Sequence, residues 1–240
     1  MDVLQILIVL VLFMLLVVPM GKYLYQVGTC EKAFGDKFFD IIDNFIFRIC
    51  GIDKKEKMNW MEYVISIILV NAVMVFIGYI ILRTQNFLIL NPNKIGGMEQ
   101  SLSFNTIISF ITNTNLQDYS GESGLSHLSQ MVVIIFMMFT SAATGFAAAL
   151  AFMRGIVGKT KTMGNFYVDL VRVITRVLMP LSIIVGLLLV FQGVPQTLSG
   201  THTVTTIEGK LQDIALGPVA ALEAIKHIGT NGGGFFGANS

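Results

Sequence analysis

Two stretches of this 240-residue chain carry the residue types that could strip and hold a bare cation. The first is Thr112-Asn-Thr-Asn-Leu-Gln-Asp-Tyr-Ser-Gly-Glu122, polar and without a helical or strand period. The second is Gly229-Thr-Asn-Gly-Gly-Gly-Phe-Phe-Gly-Ala-Asn-Ser240, with consecutive glycines at Gly232, Gly233 and Gly234. Threonine hydroxyls and strings of backbone carbonyls can replace an ion's water shell. Glycine lets carbonyls face one axis in conformations that a side chain would disfavour. No tight carboxylate cluster accompanies either stretch, which argues against a calcium or magnesium cage. A monovalent cation fits best.

Each stretch is preceded by a helix too short to cross a membrane. Ser103–Ile111 is uncharged and, at about 1.5 Å per residue, reaches only about half way through a bilayer. Gly217-Pro218 opens the second short helix, with proline expected at its first position, and that helix runs to Ile228. A short apolar helix followed by irregular polar backbone reads as a re-entrant pore loop. Such backbone is tolerated at membrane depth only where it lines water or is buried in protein. Each helix would point its C-terminus, the negative end of its dipole, at the loop that follows. The dipeptide Thr112-Asn113 recurs as Thr230-Asn231 at an offset of 118 residues. That offset carries the second long apolar segment into the fourth. The expected architecture is therefore an internal repeat of span, half-helix, polar loop and span.

The elements that must hold these loops are legible in the composition. Hydrophobic residues make up 54% of the chain and charged residues only 13%, about half the charge of an ordinary soluble domain. That excludes a soluble enzyme. A net charge of +1 gives no field for nucleic acid. Four segments are long and apolar enough to span: Val3 to Met20 ending at Pro19, Trp60–Leu82, Met131–Met153, and Val168–Phe191. In the fourth, Asp169, Arg172 and Arg176 share one helical face and are expected at the interface, with the span proper starting near Val177 and a kink at Pro180. The stretch 22–59 holds seven Lys/Arg and 154–176 holds five, against four in the other connections. This bias places both in the cytoplasm and the N-terminus outside.

Other patterns carry less. Gly155-Ile-Val-Gly158-Lys159-Thr160 resembles the end of a phosphate-binding loop, but Met153 stands where its first glycine belongs. Gly232–Gly237 matches a dinucleotide pattern by letter, with no strand before it. His127, His202 and His227 are scattered, and Cys30 and Cys50 match no zinc or redox spacing. Asp118 and Glu122 at the outer mouth could concentrate cations or only solvate the loop. Lys226 and His227 end the second half-helix, where Lys226 could pair with Glu223 or act on the transported ion. The small residues from Ser141 to Ala148 read as close packing in the third span.

Both loops, with Met58-Asn-Trp60 and Gly217-Pro-Val-Ala220, resemble the filter loops and flanks of the KdpA family, and the resemblance runs along the whole chain. That family comprises the channel-like, potassium-binding subunits of Kdp potassium-transporting P-type ATPases. The resemblance implies an all-α polytopic membrane protein of the potassium-transporter superfamily, with four span–pore–span repeats around one pore. Its expected division is an extra N-terminal transmembrane helix over 1–20, a cytoplasmic loop over 21–59 and a first repeat over 60–153. A cytoplasmic or interfacial segment over 154–176 and a second repeat over 177–240, cut inside its filter loop, complete it. It implies potassium ligands at Asn113, Thr114 and Asn115, and at Thr230, Asn231, Gly232, Gly233 and Gly234. The pore mouth and selectivity positions would be Thr112, Gln117, Asp118 and Glu122, while Leu116 stands where an aromatic is expected.

The implied role is to bind extracellular potassium and pass it toward a P-type pump subunit in the cell membrane, alongside small accessory subunits. ATP and magnesium would sit on that partner, and this chain would bind no cofactor of its own. A phosphorylation motif is not found in the sequence, so it is not itself the expected catalyst. Family members are more than twice as long, so the chain is expected to be a fragment or a prematurely terminated product. A passive potassium channel or symporter subunit, and a non-conducting membrane scaffold, are the alternatives.

Overall fold

Four helices are long and apolar enough to cross a membrane in the computed structural model, which describes residues 3–158 and 162–237. Lys159, Thr160 and Lys161 lie outside the described residues, as do Ala238, Asn239 and Ser240 at the end of the second polar stretch. The protein is an all-α polytopic membrane protein, with one small hairpin as its only sheet among the described residues.

Helix α1, Val3–Thr29, does not end at Pro19 as expected but runs through it. Lipid offers no competing hydrogen-bond partners, so proline is tolerated within such helices. Its apolar length is exposed from Val3 to Met20, the pattern of a helix that faces hydrocarbon all round. Only its C-terminal part docks, from Tyr23 onward. The Val27 carbonyl accepts from Arg172 Nε at 3.3 Å, and the Gly28 carbonyl from Arg154 Nη2 at 2.7 Å. A methyl group at Gly28 would lie 2.6 Å from Leu150 Cδ2, so glycine permits the approach.

Helix α2, Asp36–Cys50, is amphipathic. Helix α3, Trp60–Thr84, starts at a capping box. Asn59 accepts from the backbone of Met61 and Glu62, while Glu62 Oε2 accepts from Asn59 N at 2.7 Å. The one charge in that apolar segment is thereby a cap. The short helix α4, Gln100–Ile111, packs between α3 and the third span. A single turn, α5, follows at Gly121–Gly124. The third span, α6, covers His127–Val157, and the fourth, α7, covers Phe166–Phe191. Strands β1 (His202–Thr205) and β2 (Leu211–Ile214) form an antiparallel hairpin that the sequence reading did not anticipate. Helix α8, Val219–Ile228, packs on α7 and on the first turns of α6. Pro218 is its N-cap rather than its first helical residue.

Both α6 and α7 contain a π-turn, at Gln130–Ile135 and Ile174–Leu178. The second stands just before Pro180. Proline lacks an N–H and crowds the carbonyl four residues back, here that of Arg176. Tyr23 of α1 supplies the missing donor, its hydroxyl lying 2.8 Å from the Arg176 carbonyl oxygen.

The charges at the start of α7 are buried within the protein. Asp169, Arg172 and Arg176 are 3%, 9% and 1% exposed, and each reaches a different element. Arg154 grips Asp169 with both nitrogens, at 2.6 and 2.9 Å. Arg176 donates to Asp36 at 2.8 Å and Asp40 at 2.6 Å, and also to Asp43, all on α2. Lipid gives apolar helices no hydrophobic reason to associate, so close packing and such polar links must hold the bundle. Gly78 on α3 is one close approach: a methyl group there would meet Met137 Cε at 2.7 Å and Ile107 Cδ1 at 2.9 Å.

Candidate ion-binding site

Helices α4 and α8 end in the same way. Their C-caps, Thr112 and Gly229, have φ/ψ of −88°/3° and −83°/2°. The next residues, Asn113 and Thr230, are left-handed at φ 59° and 57°. The residues after those reach back, Thr114 N to the Ser109 carbonyl at 3.0 Å and Asn231 N to the Lys226 carbonyl at 2.9 Å. A left-handed residue followed by such a long backward bond is a common helix stop. The equivalence pairs Asn113 with Thr230 and Thr114 with Asn231. The repeat register is therefore one residue shorter than the match of the Thr-Asn dipeptides.

The two helix ends meet. Asn113 Nδ2 donates to the Gly229 carbonyl at 3.4 Å, and Asn113 Oδ1 accepts from Ser141 Oγ at 3.2 Å. Two negative dipole ends and their last carbonyls thus converge, which favours a cation beside them. Below lies a cavity of about 450 Å³ lined in part by Thr112, Asn113, Ser141, Thr144, Gly229 and Thr230. The small residues of α6 consequently divide. Ala143 and Ala147 are fully buried packing residues, whereas Ser141, Thr144 and Gly145 face this space.

The loops are joined side by side. Gln117 Oε1 accepts from Gly234 N at 2.9 Å, and Gln117 Nε2 donates to the Tyr119 carbonyl at 3.2 Å. A side chain at Gly232 would begin 3.5 Å from Asn115 Cβ and 3.6 Å from the Thr114 carbonyl oxygen. Glu122 Oε2 accepts from Gly237 N at 2.8 Å, so it clamps the second loop rather than facing solvent alone. Asp118 accepts from Asn105 Nδ2 of α4 at 3.2 Å.

The glycines do not serve as the sequence reading supposed. None of Gly232, Gly233 and Gly234 is left-handed; that conformation falls to Asn113, Asn115 and Thr230. Asparagine tolerates it better than most residues. Gly233 is instead needed for space, since a methyl group would lie 2.6 Å from the buried Phe110 ring. Asn115 is 3% exposed, and neither end of its amide has a hydrogen-bond partner among the described residues. Asn231 is 9% exposed and donates to the Met138 and Ile225 carbonyls, at 3.4 Å each. Leu116 is exposed, while its carbonyl accepts from Ser109 Oγ at 3.0 Å.

Lys226 pairs with Glu223 at 3.3 Å, and Glu223 Oε1 accepts from Phe235 N at 3.1 Å. The pair thereby holds the exit of the second loop. At the other end of α4, Glu99 caps the helix. The Ser101 hydroxyl and the Leu102 N–H hold its carboxylate down to about 2, ionised at the positive end of the dipole. Phe110, Ser141, Thr144 and Gln130 belong to the site's surroundings, yet nothing local in the sequence marks Phe110 or Gln130, and Ser141 and Thr144 read there only as close packing. They reach it only through the packing of α4 and α6.

Comparison with known proteins adds to this geometry. Residues 7–240 match the family described as potassium-transporting ATPase A subunit. A relative from Clostridium acetobutylicum is 62% identical over 240 residues, all of this chain and 43% of the relative. One from Caldanaerobacter subterraneus is 54% identical over 229 residues, and one from Geobacillus kaustophilus 55% over 232, each covering 41% of the relative. All are named potassium-transporting ATPase potassium-binding subunit. The chain therefore spans less than half the length of the curated relatives it matches.

Proposed function

The chain belongs to the family of potassium-transporting ATPase A subunits, and from that premise we propose that it forms part of a potassium-binding and translocating subunit. In this reading it takes potassium from outside the cell and passes it toward a P-type pump subunit. It is a non-catalytic component: ATP and magnesium belong to the partner, and small accessory membrane subunits complete the assembly. It lies in the cell membrane with its N-terminus outside. Residues 60–153 form one repeat and 177–240 the beginning of the next.

The observation that carries this reading is the meeting of two helix C-termini, Asn113 Nδ2 against the Gly229 carbonyl. A cation beside them gains from both dipoles and from the carbonyls of the loops that follow. Asn113, Thr114 and Asn115 supply one side of its shell. Thr230, Asn231 and the glycines from Gly232 to Gly234 supply the other. Thr112 and Gln117 flank the ion path, with Asp118 and Glu122 at its mouth.

The test is potassium-stimulated ATP hydrolysis by the complete, full-length complex. Replacing Gly232 by Asp puts a carboxylate against the Thr114 carbonyl, two oxygens of like partial charge. The expected result is a higher potassium requirement. Hydrolysis unaffected by potassium, or the same requirement in Gly232→Asp, would count against the assigned site.

A further inference from the structure

Gln130 opens the π-turn of α6 and is 0% exposed. Neither end of its amide has a hydrogen-bond partner among the described residues. A buried amide left so costs far more than a hydrogen bond ordinarily contributes, and native folds rarely keep one without a reason. Its surroundings supply the reason. Gly121 lies where the first loop ends, and a methyl group there would sit 2.6 Å from Gln130 Nε2. The same methyl group would collide with the Phe235 carbonyl oxygen, where the second loop ends. The Gln130 amide nitrogen and the Phe235 carbonyl oxygen thus flank one glycine at close range. Phe235 is otherwise fixed, its N–H on Glu223 and its ring against Gly217. On either side run the direct links Gln117–Gly234 and Glu122–Gly237.

We infer that Gln130 is a positioning residue for the ion site: its buried amide, beside the Phe235 carbonyl at Gly121, ties α6 to the end of the second loop and so fixes the spacing of the two polar loops. Gln130 is also the first residue of the π-turn. π-turns are frequent at functional positions. A loop spacing set in this way governs the fit of the ion and not the rate of the pump.

This inference rests on the potassium-binding reading above, and its experiment separates the two. Potassium-stimulated ATP hydrolysis is measured in the full-length complex carrying Gln130→Met, which keeps the length of the side chain and removes its polar atoms. The expected result is a roughly tenfold higher half-saturating potassium concentration, a changed potassium-to-rubidium preference, and a maximal rate within about twofold of the parent. An unchanged potassium requirement and ion preference, with the parent still potassium-dependent, overturns the role of Gln130 and leaves the site intact. A parent that ignores potassium overturns both. Should Gln130→Met fail to assemble, Gln130→Asn keeps the amide but withdraws it by one methylene. A shifted potassium requirement in that variant supports the inference, and an unshifted one ends it.

Discussion

The side-chain oxygen of Gln117 lies 2.9 Å from the backbone nitrogen of Gly234, and this bond joins two loops that are 117 residues apart in sequence. A glutamine of the first loop therefore governs the position of the second. Replacing Gln117 by Leu leaves the Gly234 N–H without its acceptor in a half-buried place. A lost hydrogen bond of this kind costs about 1–2 kcal/mol, equivalent to about five- to thirtyfold in affinity if it is felt at the ion. The expected outcome is a rise of that order in half-saturating potassium, read from potassium-stimulated ATP hydrolysis of the full-length complex. A fall in maximal rate alone would argue that the bond serves assembly.

The glycines separate by their surroundings. A methyl group at Gly232 meets only ordinary contacts, whereas at Gly233 it runs into Phe110, which is 0% exposed and cannot swing aside. Gly233→Ala should therefore cost about 1–3 kcal/mol as overpacking, and Gly232→Ala much less. Thermal unfolding in detergent measures the difference directly. Equal shifts for both would mean that the Phe110 ring relaxes and that backbone freedom, not space, selects glycine here.

Much of this arrangement was legible in the sequence. Four apolar segments against sparse charge fixed the class, and two short helices before polar loops marked the site. The remainder depended on contacts between distant residues. Pro19 looks like a helix end because proline breaks helices in water, but α1 continues through it to Thr29. The spacing of Asp169, Arg172 and Arg176 places them on one face without naming their partners. Their partners lie on α1, α2 and α6, where no local pattern points. Matching the repeated Thr-Asn letters gives a register one residue too long. The helix stop shows that Asn113, not Thr112, is equivalent to Thr230.

Arg176 is the anchor of α2. Its guanidinium is 0% exposed and meets Asp36, Asp40 and Asp43. Arg176→Met would strand buried Asp43 without its cation, a loss of about 3–5 kcal/mol for an interior pair. Release of α2, seen as faster proteolysis between 30 and 58, is the expected result. Acid should act through Asp36. Burial opposes its ionisation but is outweighed by the Ala33 N–H and Arg176, so its pKa lies below the ordinary carboxylate value. A depressed value means that the link is fully present above the unfolded pKa, about 4, and is lost as pH falls through the lower folded value. Cleavage should stay slow from neutral pH to about 5 and quicken only in stronger acid. Quickening already at pH 6 would show that another group holds α2.

The side of the membrane on which α2 lies can be read with a native thiol. Cys50 ends α2 and is exposed, in the stretch whose Lys and Arg excess argues for the cytoplasm. In intact cells carrying Cys30→Ser, a membrane-impermeant maleimide should leave Cys50 unmodified, and permeabilisation should expose it. The same result fixes the rest of the molecule. Helix α3 crosses once between α2 and α4, so an inward Cys50 puts the start of α4 on the outer side. The C-termini of α4 and α8 then point inward from the external face, and an ion entering from outside meets the loops before the cavity beneath them. Labelling of Cys50 from outside would reverse that order. The cavity under Thr112 and Thr230 would then be the entrance, and Asp118 and Glu122 would stand at the exit.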